Sequence, residues 1–110
     1  MLINLSNSPH NDWGESQRQA AGLATSDGQV VDFAVVVPVH LTKTEVRSLA
    51  QDITKRIEKI VLNDKGGTAI LVNIEPTFDF IFIKKMQARG YLCFAPVFTS
   101  IGTFIKFREY

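Results

Sequence analysis

Four short apolar runs recur along this chain, and a segment long enough for a helix lies between each run and the next. The runs cover residues 1–5, 30–37, 68–73 and 91–98, and an alternating apolar–polar segment follows over residues 103–108. Parallel strands need a crossover of a dozen or more residues, usually a helix. The order β-α-β-α-β-α-β-β therefore predicts an α/β fold. We expect a three-layer sandwich with a mainly parallel sheet, in the order 2-1-3-4, and a C-terminal antiparallel edge strand. The run 30–37 is almost continuously apolar, which predicts a strand buried on both faces.

Three segments have the signals of helices, residues 12–25, 42–61 and 76–89. Thr42 and Glu45 have the spacing of a capping box, and apolar residues recur after them at intervals of three and four. Asp12 and Glu15 have the same capping spacing at the start of the first segment. Pro76 suits the first turn of the third helix, because a missing N–H costs nothing there.

The third predicted helix is apolar on two sides. One side has four apolar residues, Phe78, Ile81, Phe82 and Met86. Phe80 and Ile83 lie largely opposite, and a helix that is apolar on both sides must be covered on both sides. In a chain of 110 residues we expect the second cover to be another copy of the chain. A two-fold homodimer, with higher assembly left open, would bring two copies of a nearby site together.

Composition and missing motifs exclude several classes of protein. A net charge of +1 argues against a strongly basic DNA-binding protein. The single cysteine, Cys93, excludes an intramolecular disulfide and a cysteine-based zinc site, and the isolated His10 and His40 do not indicate a metal centre. No glycine-rich phosphate loop occurs, so no standard cofactor is expected. No run approaches the roughly 18 apolar residues of a membrane span and no secretory leader is recognisable, so we expect a cytoplasmic protein without a membrane partner.

Polar side chains follow the predicted strands at the sheet edge where α/β folds place ligands. The candidate ligand-binding residues are Ser6, Asn7, Ser8 and His10 after strand one, Asn73, Glu75 and Thr77 after strand three, and Thr99 and Ser100 after strand four. The N-terminus of the third helix would offer backbone N–H groups to a phosphate. Several of these residues also have a purely structural interpretation. Asn7-Ser8-Pro9 is a common turn, Thr77 could cap the third helix, and the helix dipole alone favours Glu75 near a helix start. An isolated histidine such as His10 is more often a surface or packing residue. Acid–base catalysis would depend on His10 or Glu75, and the sequence commits neither to that role.

The chain resembles small CRISPR-associated ancillary proteins of type III systems over nearly its whole length. The similarity lies in Leu2-Ile3-Asn4-Leu5-Ser6-Asn7-x-Pro9 with Trp13 and Gln17, in Glu75-x-Thr77-Phe78, and in the ending Phe104-x-Lys106-Phe107-Arg108-Glu109-Tyr110. The resemblance implies one Rossmann-like domain over residues 1–110, akin to CARF sensor domains, that forms dimers and handles the messenger cyclic oligoadenylate. Two positions depart from the family pattern. Ser8 stands where histidine is usual, and Ile74-Glu75-Pro76-Thr77 stands where the family has Gly-Glu-[aromatic or Met]-Thr, which weakens catalysis more than binding.

Three functions follow from these residues and the resemblance. The first is a homodimer that binds cyclic oligoadenylate, most simply the four-membered ring, and dampens type III signalling by sequestering it. The second is a metal-independent ring nuclease that cleaves the same messenger. The third is a non-enzymatic α/β interaction module whose polar loops are only turns.

Overall fold

The computed structural model describes residues 1–62 and 64–110, and these form a sheet of five strands with three α-helices. The elements in chain order are β1 Leu2–Ser6, α1 Glu15–Ala24, β2 Val30–Asp32, α2 Lys43–Val61, β3 Ala69–Asn73, α3 Pro76–Ala88, β4 Leu92–Phe98 and β5 Phe104–Glu109. Single 3-10 turns span His10–Asp12 and Lys65–Gly67. The sequence also places a loop at residues 63–67, of which Asn63 lies outside the described residues. None of the described helices is long and apolar enough to cross a membrane.

The strands lie in the order β2-β1-β3-β4-β5. Strands β1 to β4 pair in parallel, and β5 pairs with β4 antiparallel at the edge of the sheet. The α/β class, the mainly parallel sheet and the antiparallel C-terminal strand are therefore confirmed. Because β1 and β3 are central neighbours, the loops that follow them leave the same edge of the sheet, which we call the carboxyl edge.

Alternate residues of the central strands face opposite helices. Ile3 and Leu5 of β1 are fully buried in a core that also contains residues of α2 and α3. Leu2, the residue before Ile3, packs instead in a smaller cluster with Trp13 and Ala21 on the side of α1. Period-two alternation along a strand buried on both sides thus produces a helical layer on each face.

The second strand is shorter and more exposed than its apolar sequence predicts. It pairs with β1 only from Val30 to Asp32, at the outer edge of the sheet. Residues 33–37 continue with alternating half-buried and exposed side chains, and Val36 is 80% exposed. The prediction of burial on both faces is wrong, because Phe33, Val35 and Val37 pack against the core that contains α2, whereas the side chains between them lie on a face that is exposed.

The helix ends follow the sequence signals in two cases out of three. The Thr42 hydroxyl accepts from the Glu45 N–H and the Glu45 side chain accepts from the Thr42 N–H, so the capping box of α2 is confirmed. Pro76 opens α3 as predicted. The first capping box is wrong, since Asp12 lies in a 3-10 turn and Gly14 precedes the first residue of α1 without a side-chain cap.

Only one of the two residues expected on the outer side of α3 is exposed. Ile83 is buried in the same core as Phe78 and Phe82. Phe80 is 62% exposed, with the Lys84 ammonium 4.3 Å from its ring centre. The core on the side of α2 thus covers a wider sector of α3 than a strict helical wheel gives, and of the two residues Phe80 stays exposed.

Candidate ligand-binding site at the carboxyl edge

Asn7 joins the two loops that the sequence expected to share a ligand. Its backbone N–H donates to the carbonyl of Asn73 at 3.2 Å, and its side-chain Nδ2 donates to the carbonyl of Ile74, also at 3.2 Å. The first bond extends the β1–β3 ladder by one residue, and the second holds the loop before α3. Polar groups from both loops therefore lie side by side at the carboxyl edge.

A buried amide organises the loop after β1. Asn4 is only 2% exposed, and its Nδ2 donates to Asp32 Oδ1 at 2.8 Å and to the carbonyl of Ser8 at 2.9 Å. The Ser6 hydroxyl donates a hydrogen bond to Asn4 Oδ1 at 2.6 Å. A buried amide with both ends satisfied specifies one loop conformation, because each lost bond would leave a desolvated polar group.

His10 bonds to an aspartate that the sequence analysis did not include in the site. Its backbone N–H donates to Asp32 Oδ1 at 3.1 Å, and its ring Nδ1 lies 3.0 Å from Asp32 Oδ2. Partial burial acts to raise the pKa of Asp32, but hydrogen bonds from Asn4 and His10 outweigh it and hold that pKa below its usual value. Asp32 is therefore an anion near neutral pH, and its oxygens can only accept hydrogen bonds. The His10 ring must then be protonated at Nδ1 and donate from there to Asp32.

Two carboxylates occupy the backbone donors before and within the first turn of α3. Glu75 accepts from the N–H groups of Thr77 at 3.0 Å and Phe78 at 2.9 Å, and these bonds lower the pKa of Glu75. Asp79 accepts from the N–H groups of Ile74 and Glu75, but desolvation by burial outweighs those bonds and raises the pKa of Asp79. The expectation that this helix end offers its N–H groups to phosphate is therefore wrong, since the carboxylates already satisfy them.

Two cavities open at the carboxyl edge, and the segment after β2 lines both. The first, here the β2 cavity, has a volume of about 290 Å³ and is lined by Asn4, Ser6, Asn7, Pro9, Asp32 and residues 33–36. The second, here the α3 cavity, has a volume of about 450 Å³ and is lined by residues 37–39, Leu41, Lys43, Val46, Glu75 and Thr77. Together they contain four of the predicted binding residues, Ser6, Asn7, Glu75 and Thr77.

The remaining candidates lie elsewhere along the edge. Ser8 lines a cavity of about 380 Å³ on the α1 side, together with Phe98 and Thr103. Thr99 bonds Thr103 through its backbone and its hydroxyl, so it closes the β4–β5 turn. Ser100 is exposed in that turn, and Asn73 contributes its main-chain carbonyl to Asn7.

Asp32 and Lys43 are the polar residues that sequence reasoning missed. Asp32 interrupts an otherwise apolar run, and that interruption was the available signal. Its partner Asn4 becomes visible only once the β1–β2 register is known, since the two residues pair directly. Lys43 gave no signal, because a charged residue in the first turn of an amphipathic helix is ordinary surface.

The chemistry of the edge is that of neutral donors with a few charges. Across residues 1–62 and 64–110, no group of three or more His, Cys, Asp or Glu side chains is placed to hold a metal ion. The arrangement can bind hydroxyl, amine and phosphate groups through Asn7, Thr77, Lys43 and Glu75. Comparison of the chain with protein-family models, curated proteins and solved structures finds no significant match in any of the three.

Proposed function

We propose that this chain is a CARF-like, Rossmann-like domain that binds cyclic oligoadenylate, with cyclic tetra-adenylate as the ligand. It acts in the cytoplasm as a homodimer and dampens type III CRISPR signalling by sequestering the messenger. The observation that carries the proposal is the pair of bonds from Asn7 to the 73–74 backbone. They unite two of the three segments on which the resemblance to the CRISPR-associated proteins depends.

The geometry supports an assignment of side chains to the parts of the messenger. Glu75 engages the first N–H groups of α3 and Asp79 engages those just before the helix, so phosphate would be bound by side-chain donors. Lys43 and Thr77 line the α3 cavity and can supply those donors. The Glu75 carboxylate repels phosphate but accepts from ribose hydroxyls or the adenine amine.

The size of the cavities supports a site shared between two protomers. Small-molecule pockets have volumes of roughly 300–1,000 Å³. The β2 cavity, at about 290 Å³, lies just below that range, and the α3 cavity, at about 450 Å³, lies in its lower half. A ring of four nucleotides needs more wall than either cavity provides. Exposed Val36 and Val39 border these cavities, and they would become buried if a second copy closed over the ring.

Calorimetry with cyclic tetra-adenylate, combined with light scattering, tests the proposal. We expect a dimer that binds one ring per two chains and releases it intact after denaturation. Thr77→Val should weaken binding at least tenfold. Thr44→Val is the matched control, since Thr44 is exposed on the second residue of α2 and should leave binding unchanged. A strict monomer that gives no heat at micromolar concentration would instead support the non-enzymatic interaction module.

One observation favours the ring nuclease as a second function. The contact between His10 and Asp32 supplies an oriented imidazole of the kind used in acid–base catalysis. Incubation of the native protein with the messenger separates the two readings. Linear products formed over many turnovers would identify an enzyme, and recovery of the intact ring would identify a binder.

A further inference from the structure

A third cavity lies on the α1 side of the sheet, between the start of α1 and the turn that joins β4 to β5. Its volume is about 380 Å³, and we call it the α1 cavity. Trp13, Phe98 and Phe104 contribute aromatic rings to its lining. The rings of Phe98 and Phe104 meet edge to face with their centres 5.9 Å apart, and Trp13 is only 5% exposed. One wall of the cavity is therefore apolar and aromatic.

The first turn of α1 lines the same cavity, and its backbone donors are unpaired. Among the residues that the structure describes, none accepts a hydrogen bond from the N–H groups of Glu15, Ser16 or Gln17. Gly14 at the N-cap has no side chain to serve as acceptor, whereas side chains cap the first turns of α2 and α3. Unpaired N–H groups at the start of a helix attract the oxygens of an anion.

A buried amide from the same turn is also without a partner. Gln17 is only 6% exposed, and its side chain forms no hydrogen bond to any described residue. In that part of the chain, no fully enclosed side-chain nitrogen or oxygen lacks a partner. The Gln17 amide must therefore keep its polar atoms open to the α1 cavity, which it lines. A desolvated amide without a partner lowers stability, and a ligand that pairs with it would remove that cost.

The charges around the cavity restrict the kind of ligand that it can hold. Asp12 and Glu15 line it, and no lysine, arginine or histidine is among its described lining residues. Glu15 accepts from Gln19 at 3.4 Å, whereas the Asp12 carboxylate has no such bond within the described residues. A simple anion would meet two carboxylates, and a simple cation would meet the positive end of α1. A ligand that has both charges avoids both conflicts.

We propose that the α1 cavity binds a free α-amino acid with an aromatic side chain. Its carboxylate accepts hydrogen bonds from the first N–H groups of α1 and from Gln17 Nε2. Its ammonium group faces the Asp12 carboxylate, and its ring packs on Phe98 and Phe104. A volume of about 380 Å³ lies within the range of small-molecule pockets. None of the residues that line this cavity lines the β2 or the α3 cavity, so the site is separate from the proposed messenger site.

Calorimetry of the native chain with L-phenylalanine tests the proposal. Two analogues separate its charges, since 3-phenylpropionate lacks the ammonium group and 2-phenylethylamine lacks the carboxylate. We expect one L-phenylalanine per chain with a Kd below about 1 mM. Both analogues should bind more weakly by about tenfold or more, because each loses one of the two charge interactions.

Gln17→Leu separates a binding role of the amide from a structural one. Leucine has a similar size and removes an unpartnered polar group, so the urea midpoint should stay or rise. The affinity for L-phenylalanine should nevertheless fall by about tenfold or more, since a hydrogen bond to a charged carboxylate is lost. Gln29→Leu is the matched control and should leave the affinity unchanged, because Gln29 is exposed and lies outside the cavity.

Two further variants test the two ends of the ligand. Gly14→Ser supplies a hydroxyl that accepts from the free N–H groups, so it should weaken the binding of both L-phenylalanine and 3-phenylpropionate. The fold should accept this change, because a Cβ at Gly14 meets no atom within 4 Å. Asp12→Asn should weaken the binding of L-phenylalanine but not that of 3-phenylpropionate, which has no ammonium group.

Three results would overturn the proposal. The first is a Kd of the native chain for L-phenylalanine above about 1 mM, and the second is an unchanged affinity in Gln17→Leu. The third is displacement of L-phenylalanine by cyclic tetra-adenylate, because the α1 cavity would then belong to the messenger site. The proposed function is scored separately, since Gln17→Leu should bind cyclic tetra-adenylate as the native chain does.

Discussion

The side-chain amide of Asn7 donates to the main-chain carbonyl of Ile74 across 67 residues of sequence, at 3.2 Å. This bond fixes the distance between the loop after β1 and the loop that opens α3. Two central parallel strands bring their following loops together in any such sheet. In this chain the Asn7 amide also holds the two loops in one relative position, so their polar groups lie at fixed distances from one another.

Replacing this amide should affect binding more than folding. Asn7→Ala removes one exposed bond, so the free energy of unfolding should fall by about 0.5–1 kcal/mol, the lower part of the range for one hydrogen bond. The affinity for cyclic tetra-adenylate should fall at least tenfold, because the two loops lose their fixed spacing. Urea unfolding and calorimetry measure the two effects. Asn11→Ala, also an exposed asparagine, is the control, and an Asn7→Ala protein with native affinity would contradict the role given to this bond.

The capping box of α2 should be a measurable source of stability. Thr42→Ala removes the acceptor of the Glu45 N–H, which should cost about 1 kcal/mol in the free energy of unfolding. Thr44→Ala serves as control, since it lies inside the helix, where alanine is the better helix former. The urea midpoint should therefore fall for the first variant and stay or rise for the second. Equal midpoints would mean that the cap bond is not formed in solution.

Two phenylalanines of α3 should differ sharply. Phe82 is fully buried and stacks on Phe78 with ring centres 5.2 Å apart, so Phe82→Ala should cost about 3–5 kcal/mol. Phe80→Ala should stay within about 0.5 kcal/mol for the isolated chain, as an exposed site does. If the homodimer forms through α3, the Phe80 variant should also dissociate at protein concentrations where the native chain is dimeric. Sedimentation velocity measures this, and an unchanged dimer would place the interface elsewhere.

The sequence was informative at two of the three helix starts, and the capping spacing of Asp12 and Glu15 misled at the third. The spacing of Thr42 and Glu45, and the position of Pro76, depend on neighbours within one helical turn. The strand order was accessible because parallel pairing and helical crossovers leave few topologies. The meeting of the Asn7 and Thr77 segments followed from that order alone.

The features that the sequence could not predict are contacts between residues far apart in the chain. Asp32 joins Asn4 and His10 only because β2 pairs with β1 in one register. The short pairing of β2 could not be read from its apolar run, since edge and central strands of this composition look alike. Glu75 and Thr77 gave equal support to a ligand site and to a helix cap. The structure shows that the Glu75 carboxylate forms the cap.

Lowering the pH should change the stability of the protein through two carboxyl groups at the start of α3, and the two effects should be opposite. The pKa of Glu75 is lowered by hydrogen bonds from the Thr77 and Phe78 N–H groups, so its stabilisation is present above the unfolded pKa near 4.5 and is lost as pH falls. The pKa of Asp79 is raised, chiefly by burial, so its contribution is greatest below the unfolded value of 3.8 and is lost as pH rises through the folded pKa.

Each variant should therefore change the acid limb of the stability curve in its own direction. In Glu75→Gln no carboxylate is present whose stabilising effect could be lost on protonation. The free energy of unfolding should therefore fall less steeply between about pH 5 and 3 than in the native protein. In Asp79→Asn the stabilisation that comes from protonating the buried carboxylate is absent, so the free energy of unfolding should fall more steeply over the same interval. The amide oxygen of the variant still accepts from the Ile74 N–H. Urea midpoints at several pH values provide the comparison. Parallel acid limbs in all three proteins would show that these carboxyls keep their unfolded pKa values.

Cys93 should report on opening of the sheet. Burial raises the pKa of its thiol to about 11, and the side chain is only 1% exposed on β4. At pH 8 a thiol of that pKa is ionised to roughly one part in a thousand, against about a quarter for a free cysteine with a pKa near 8.5. Labelling by an aromatic disulfide reagent should be more than 10²-fold slower in the native protein than in urea, because burial also blocks access.

Since Cys93 is the single cysteine, complete reaction gives one label per chain. Rapid labelling without denaturant would mean that β4 opens readily and that the contact of Tyr110 N–H with the Cys93 carbonyl does not hold the C-terminus on the sheet.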